Sequence, residues 1–424
     1  MSDTSISPQR AAIDLTEFKR GWRILLLGLV GICTSISAGL LYGFGTLVIP
    51  LEQAFGWSRG ELQASITFLF AGVAISTQLV GPLYRRFGLR RVAIVSIVLQ
   101  VIGYAAITRI EHSIGWLYLA FFAMPLVCAG TIATTWTQLV NLWFERNRGL
   151  ALAVILCGTG LMAVVLPPLL ARLIAQFGWQ AGFFTLAALP LLFTLPMALL
   201  WMRLPGELEP ASPGGSETVA QLDGFSFSQA LRSPVYWSFN VALILSVCLT
   251  VGMVTNIVPM LQGKGLSAQA ASQVFSSFGI SIIAGRLLVG YLLDRYPPIL
   301  VAVISLALPA IGCVIFLFAG VQSLALLVLA TLCIGASAGA EFDLAAFLMA
   351  RYFGLREYAR IFGLHLALIT IVSGLMPVFF GYLYEAYDGY SAVLLCCLAC
   401  SIIGPSILFW LRPAAVVRVR QQHA

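Results

Sequence analysis

Residues Gly265–Leu293 read GLSAQAASQVFSSFGISIIAGRLLVGYLL, and Arg286 is the only charged residue among them. With a rise of about 1.5 Å per residue, a helix of this length crosses the roughly 30 Å hydrocarbon core of a bilayer. A charge near the middle of such a span is costly and normally faces a partner or a water-filled path, so it marks function. A second apolar stretch, 322–350, carries Glu341 and Asp343, the only acids between Asp294 and Glu357. Arg286 lies nine residues before Arg295, and Glu341 ten before Arg351. Both therefore sit about 13–15 Å deep, near the bilayer midplane. One intramembrane cation and two intramembrane acids point to a site for an anion, with protons as its companions.

Outward from that stretch the whole chain is apolar: 60% hydrophobic, 10% charged. Such a composition excludes an ordinary soluble protein. Twelve runs are long enough to span: 23–50, 62–84, 91–109, 114–141, 149–171, 182–202, 236–261, 268–293, 298–320, 322–350, 361–384 and 390–411. The expected fold class is an all-α integral membrane protein. The net charge of +7 is distributed for topology, not for nucleic acid. With these spans, 19 Lys and Arg fall on the side of the termini, against Arg59, Arg109, Arg172 and Lys264 on the other. That bias places both termini in the cytoplasm, with the protein in a cell inner or plasma membrane. Residues 1–22 lack a short apolar core followed by a small-residue cleavage site and read as a retained tail. All nine cysteines lie in predicted spans, and the cluster Cys396, Cys397 and Cys400 on one helix lacks the spread a metal site needs. No metal and no cofactor is expected.

The chain repeats itself at an offset of 209 residues: Gly81 matches Gly290, Leu83 matches Leu292, Arg86 matches Arg295, and Trp143-Phe144 matches Tyr352-Phe353. Six spans followed by six similar ones imply two pseudo-symmetric six-helix bundles, 23–203 and 235–412, with a substrate site between them. The segment 204–234, rich in Pro, Gly, Ser and acids, reads as a cytoplasmic linker, and 413–424 as a second tail. Phe225–Leu231 suits a short helix on the membrane surface. Trp136, deep in the fourth span, is either a cavity wall or a packing residue.

Gly290-Tyr291-Leu292-Leu293-Asp294-Arg295 resembles the cytoplasmic loop signature of the major facilitator superfamily. The resemblance implies that its glycine permits close helix packing and that its Asp-Arg pair ties the loop to neighbouring helix ends. The first-half copy, Gly81-Pro82-Leu83-Tyr84-Arg85-Arg86-Phe87-Gly88, has Arg85 where the family has aspartate, which leaves Glu145 to supply the acid. Gly81, Arg86, Gly88, Gly290, Asp294 and Arg295 are the expected conformational residues. Trp143-Phe144-Glu145-Arg146-Asn147-Arg148-Gly149-Leu150-Ala151, Tyr42-Gly43-Phe44, Phe55-Gly56-Trp57-Ser58, Gly178-Trp179 and Arg351-Tyr352-Phe353-Gly354 are similar to the monocarboxylate and oxalate/formate branch. In that branch an arginine on span eight binds the substrate carboxylate, the role the resemblance gives Arg286. Ile282 stands where monocarboxylate carriers have an aspartate, and Leu364–Thr370 holds only His365 where oxalate carriers have a lysine. One fixed cation neutralises a dianion poorly, so a monoanion is expected.

Glu341 and Asp343, two residues apart, lie about 200° apart around a helix and cannot share a face. Glu341 is placed first as the partner of Arg286. Glu341, Asp343 and His365 are the proton-coupling candidates; a static Arg286–Glu341 bridge and a packing role for His365 are the alternatives. The first half offers no intramembrane charge, so substrate tails are assigned to Tyr42, Gln78, Thr134 and Gln138. The expected activity is secondary transport of a small organic anion, most simply a monocarboxylate with a proton, by a monomer in the lipid bilayer. Exchange, or uncoupled efflux of aromatic acids and other amphipathic compounds, is the rival. The tails are too short for a signalling domain, and no Gly-x-x-x-x-Gly-Lys run exists to drive an ATP pump. An enzyme is not expected: the two acids lack the facing geometry of aspartyl chemistry.

Overall fold

Inside hydrocarbon, backbone polar groups have no water to bond, so apolar runs fold as helices that satisfy them internally. The computed structural model describes residues 15–110, 113–144, 147–203, 224–293, 295–320, 322–354 and 356–410, and among these it contains helices but no strand. The first half comprises α1 (Leu15–Cys33), α2 (Ile36–Phe55), α3 (Arg59–Phe87), α4 (Leu89–Ile107), α5 (Ile114–Val127), α6 (Ala133–Trp143), α7 (Arg148–Phe177), α8 (Gln180–Leu189) and α9 (Leu195–Trp201). The second comprises the short α10 (Phe227–Arg232), then α11 (Pro234–Gly263), α12 (Ala268–Leu293), α13 (Pro298–Phe318), α14 (Leu324–Phe353), α15 (Tyr358–Ala386) and α16 (Ser391–Trp410).

Among the described residues, ten helical segments are long and apolar enough to cross a membrane, and α1 with α2, bent by 42°, makes an eleventh. α5 and α6, parted by a 3-10 turn at Ala129–Thr131, complete twelve. The fold is thus two six-helix bundles.

Two spans depart from expectation. The first begins at Leu15, not at 23, and breaks after Cys33. There Ser35 caps α2 by accepting the N–H of Ala38, and Gln100 Nε2 donates to the freed Thr34 carbonyl at 2.9 Å. The fourth, expected to run unbroken over 114–141, is interrupted between Val127 and Ala133. Gly130 presses against α4, where a β-carbon would meet the Val92 carbonyl at 2.6 Å, and its N–H bonds Ser96 Oγ at 3.0 Å. Trp136 is 1% exposed and its ring fills the space above Gly31, so packing is its role.

The tail residues 1–14 and 413–424 and the linker residues 204–223 lie outside the described residues. From Gly224 the chain is pinned to the loop joining α14 and α15. Gly224 pairs with Gly354, Phe225 N–H donates to the Phe353 carbonyl at 2.8 Å, and α10 follows, close to the short helix expected at Phe225–Leu231. Glu357 closes this clamp, accepting the Phe227 N–H on one oxygen and Arg360 on the other. The Phe227 N–H, and secondarily Arg360, hold the Glu357 carboxyl below its ordinary range.

Along the seam between the bundles, the end away from the linker is sealed. A β-carbon on Gly381 would meet Gly60 Cα at 2.6 Å, and Gly60 N–H bonds Glu385 Oε1 at 2.8 Å. Arg59 pairs with Glu52 at 3.1 Å and lies over the Tyr384 ring. Deeper, Thr67 bonds the Gly374 carbonyl, and Gln63 reaches the Thr255 carbonyl and Asn256. Toward the linker-side end of the same two helices, a β-carbon on Gly81 of α3 or Gly363 of α15 would meet nothing within 4 Å. Between these ends α7 and α12 cross backbone to backbone, a β-carbon on Gly279 falling 2.3 Å from the Gly160 carbonyl.

Candidate functional site

Close packing of α12 on α14 builds the site. Gly335 and Gly339 of α14 and Gly285 of α12 leave no room for a β-carbon: the carbonyls of Phe278, Ile282 and Ala336 would lie 2.5, 2.2 and 2.4 Å away respectively. Small residues at such positions let two backbones approach within a membrane. Gly335, Gly339 and Asp343 recur every four residues and so share a face. That face delivers Asp343 to Arg286, with Oδ2 3.3 Å from Nε.

The partner of Arg286 is therefore Asp343, correcting the priority given to Glu341. Glu341, 4% exposed, points away to α11, where Ser246 at 3.1 Å and Thr250 both donate hydroxyl hydrogens to Oε1. The two acids occupy different faces of α14, as their spacing requires. The signal for this choice was present in the glycine spacing, which marks the face turned to α12.

The guanidinium remains unsatisfied. Its Nε and Nη1 are buried and make no hydrogen bond; the approach to Asp343 is ionic only. Guanidinium donors are planar and rigid, suited to two parallel hydrogen bonds with one carboxylate. Tyr42 of α2 lies within electrostatic reach of both Arg286 and Glu341 and beside Thr159 of α7, and Cys157 of α7 lies within reach of Arg286 and Asp343. Tyr42 packs against the apolar cores of both bundles, so it stands on the seam. Sequence reasoning missed Ser246, Thr250, Cys157 and Thr159. The i, i+4 hydroxyl pair Ser246 and Thr250, set in an apolar span, was the available signal.

The other expected residues do not join this group. Gln78, Thr134 and Gln138 are exposed on α3 and α6 and make no hydrogen bond with it. His365 is fully buried against α11: Nδ1 meets Asn240 Oδ1 at 2.8 Å, while Nε2 has no partner. Asn240 Nδ2 donates to the Tyr236 carbonyl, so its oxygen is the acceptor and His365 Nδ1 carries the hydrogen. Asn240 precedes Ser246 by six residues, which sets His365 about 9 Å along α11 from the Glu341 layer.

A β-carbon on Gly81 or Gly290 would meet nothing within 4 Å, so neither packs two helices together. Gly88 has φ +82° and ends α3. Arg86 lies over Phe87, and Arg295 over Tyr291, whose hydroxyl it also bonds. These contacts lie at the arginines' own helix ends. Asp294 and Glu145 lie outside the described residues.

Comparison with known proteins follows from this geometry. The family model described as Major Facilitator Superfamily matches residues 29–363 and 258–424. The chain is 26% identical over 342 residues to the uncharacterised MFS-type transporter YhjX of Escherichia coli (strain K12), covering 80% of this chain and 83% of that one. It is 24% identical over 400 residues to monocarboxylate transporter 13 of Bos taurus, covering 92% and 89%. Among solved structures, the nucleoside transporter NupG superposes with a TM-score of 0.67 at 14% identity over 92% of this chain and 97% of that one. A bacterial homologue of the human lysosomal transporter Spinster, inward-facing and unoccupied, gives 0.64 at 16% identity over 94% of each. At these identities the structural matches speak for the fold.

Proposed function

This chain belongs to the Major Facilitator Superfamily and is a multi-pass membrane transporter, and we propose that it carries a small organic monocarboxylate together with a proton. One observation carries this reading: a guanidinium near the midplane, on the seam, whose buried Nε and Nη1 lack hydrogen-bond partners. A substrate carboxylate supplies what Asp343 does not, two aligned acceptors. Likeness to monocarboxylate transporter 13 supports the same substrate class. Asp343 is the resident counter-ion that the substrate displaces. Glu341, buried with hydroxyl donors and no cation, is the proton carrier, because a lone buried carboxylate is costly to keep charged. Tyr42 borders the substrate from the first half. The termini and linker face the cytoplasm of an inner or plasma membrane, as the positive-inside bias supports. Rocking of the bundles then exposes the site to alternate sides.

Proteoliposomes with a trapped pH dye test this, with lactate, pyruvate, formate, oxalate and benzoate added outside and protein-free vesicles as the leak control. Monoanions should acidify the lumen above the leak, whereas Glu341→Gln should exchange radiolabelled acid without acidification. Normal proton-coupled uptake by Glu341→Gln sinks the proton assignment. Exchange, including of aromatic acids, is the second reading, favoured by one observation: Glu341 bonds α11 and not Arg286, so the anion site can load without it. Counterflow without acidification in the unmodified protein selects that reading.

A further inference from the structure

A groove of about 420 Å³ runs between α4 and α5, starting where the two helices join and far from the Arg286 site. Gly103, Ala106, Ala120 and Ala123 line it, with Arg109 and Trp116 beside the α4–α5 junction. Small side chains on two adjacent helices leave a furrow where larger ones would make ridges. Because α4 and α5 are successive spans, their junction lies at the membrane surface and the furrow descends into hydrocarbon. Gly103 precedes Arg109 by six residues, so the furrow reaches about 9 Å inward. Trp116 is 61% exposed, as an interfacial anchor is. Arg109 is exposed, its backbone N–H bonds the Ala106 carbonyl at 3.0 Å, and its guanidinium makes no ion pair or hydrogen bond among the described residues.

An apolar furrow opening sideways into a bilayer is filled by hydrocarbon. A guanidinium at its mouth, at headgroup level, pairs with phosphate through parallel donors. We propose that this groove is a binding site for an anionic phospholipid, with one acyl chain in the furrow and the headgroup phosphate on Arg109. The furrow supplies apolar contact to any phospholipid; Arg109, the one charged residue lining it among the described residues, selects the anionic one. The site is independent of the transport reading.

Native mass spectrometry of the purified full-length protein tests it, with phosphatidylglycerol and phosphatidylcholine of identical acyl chains supplied in equal amounts. The unmodified protein should retain phosphatidylglycerol about fivefold better, the scale of one basic residue at a charged surface. Arg109→Gln should bind one phosphatidylglycerol fewer while retaining phosphatidylcholine. Ala106→Phe, at an exposed position where folding is unaffected, should lose one lipid of either class. An unchanged phosphatidylglycerol count in Arg109→Gln overturns the headgroup assignment. An unchanged total in Ala106→Phe overturns the furrow.

Discussion

The two bundles share one architecture, yet they admit polarity into the membrane by different means. In the first, the backbone itself is opened, between α1 and α2 and again between α5 and α6. The offset of 209 residues carries the second break, 128–132, onto 337–341 of α14, which is unbroken and bears Glu341. It carries the first, 34–35, onto the middle of α11, also unbroken. The second bundle keeps its helical hydrogen bonds and inserts side chains: Arg286, Glu341, Asp343 and His365. A broken backbone offers fixed dipoles that must be satisfied locally, as Gln100 and Ser96 do. Charged side chains offer ions that can change partner. The comparison assigns recognition of charge to the second bundle and leaves the first as a neutral wall.

The largest test of that division is Arg286→Ala. Loss of two charge-assisted hydrogen bonds should weaken carboxylate binding at least about 100-fold, measured as the half-saturating concentration for counterflow. Wild-type affinity would move the anion site elsewhere. Gln100→Leu probes the other bundle: an orphaned Thr34 carbonyl should cost about 1–3 kcal/mol in denaturant unfolding while substrate affinity is unchanged. A fall in affinity there would make the helix break part of the binding site. Asp343→Asn should act in the opposite sense to Arg286→Ala, tightening carboxylate binding by no more than about fivefold, because a partly exposed ion pair is worth at most about 1 kcal/mol. Weaker binding would mean that Asp343 positions Arg286 and does not compete for it.

The smallest effect concerns the clamp. Glu357 is depressed by the Phe227 N–H, so its contribution is fully present above the ordinary carboxylate range near pH 4.5. It is lost as pH falls through the lowered value. Amide exchange in 224–232, corrected for intrinsic rates, should therefore be steady from neutrality through the ordinary carboxylate range and rise only below it. Glu357→Gln should raise it slightly at every pH and remove the acid step. An acid step that survives the substitution assigns it to another group.

Much of this arrangement was legible in the amino-acid order. Apolar length marks the spans and the repeat marks the halves, because both follow from hydrocarbon thickness and local composition. Arg286 stood out because nothing else in its span is charged. The choice between Glu341 and Asp343 was missed because it depends on how α14 is turned against α12, and the glycines that set this lie four and eight residues upstream of Asp343. The break near Gly130 was missed for another reason. Its apolar run is continuous, and only the close approach to α4 shows why a helix should stop there. Arg86, Arg295 and the signature glycines follow the family pattern in sequence, and the acids expected beside them, Asp294 and Glu145, lie outside the described residues.

The crossing of α7 and α12 at Gly160 and Gly279 has a mechanical consequence. On the proposed rocking of the bundles it serves as a fulcrum, flanked by Ile283 and Val164 and tied by Ser276, which donates to the Val164 carbonyl at 2.8 Å. Leu293, at the linker-side end of α12, lies fourteen residues from Gly279, an arm of about 21 Å. A rotation of about 15° sweeps that end through about 5 Å. Arg286 rides on the same lever at half the radius. On the proposed rocking, that end swings widely while the guanidinium travels a short arc, a gearing that keeps hold of a small ion while its surroundings move.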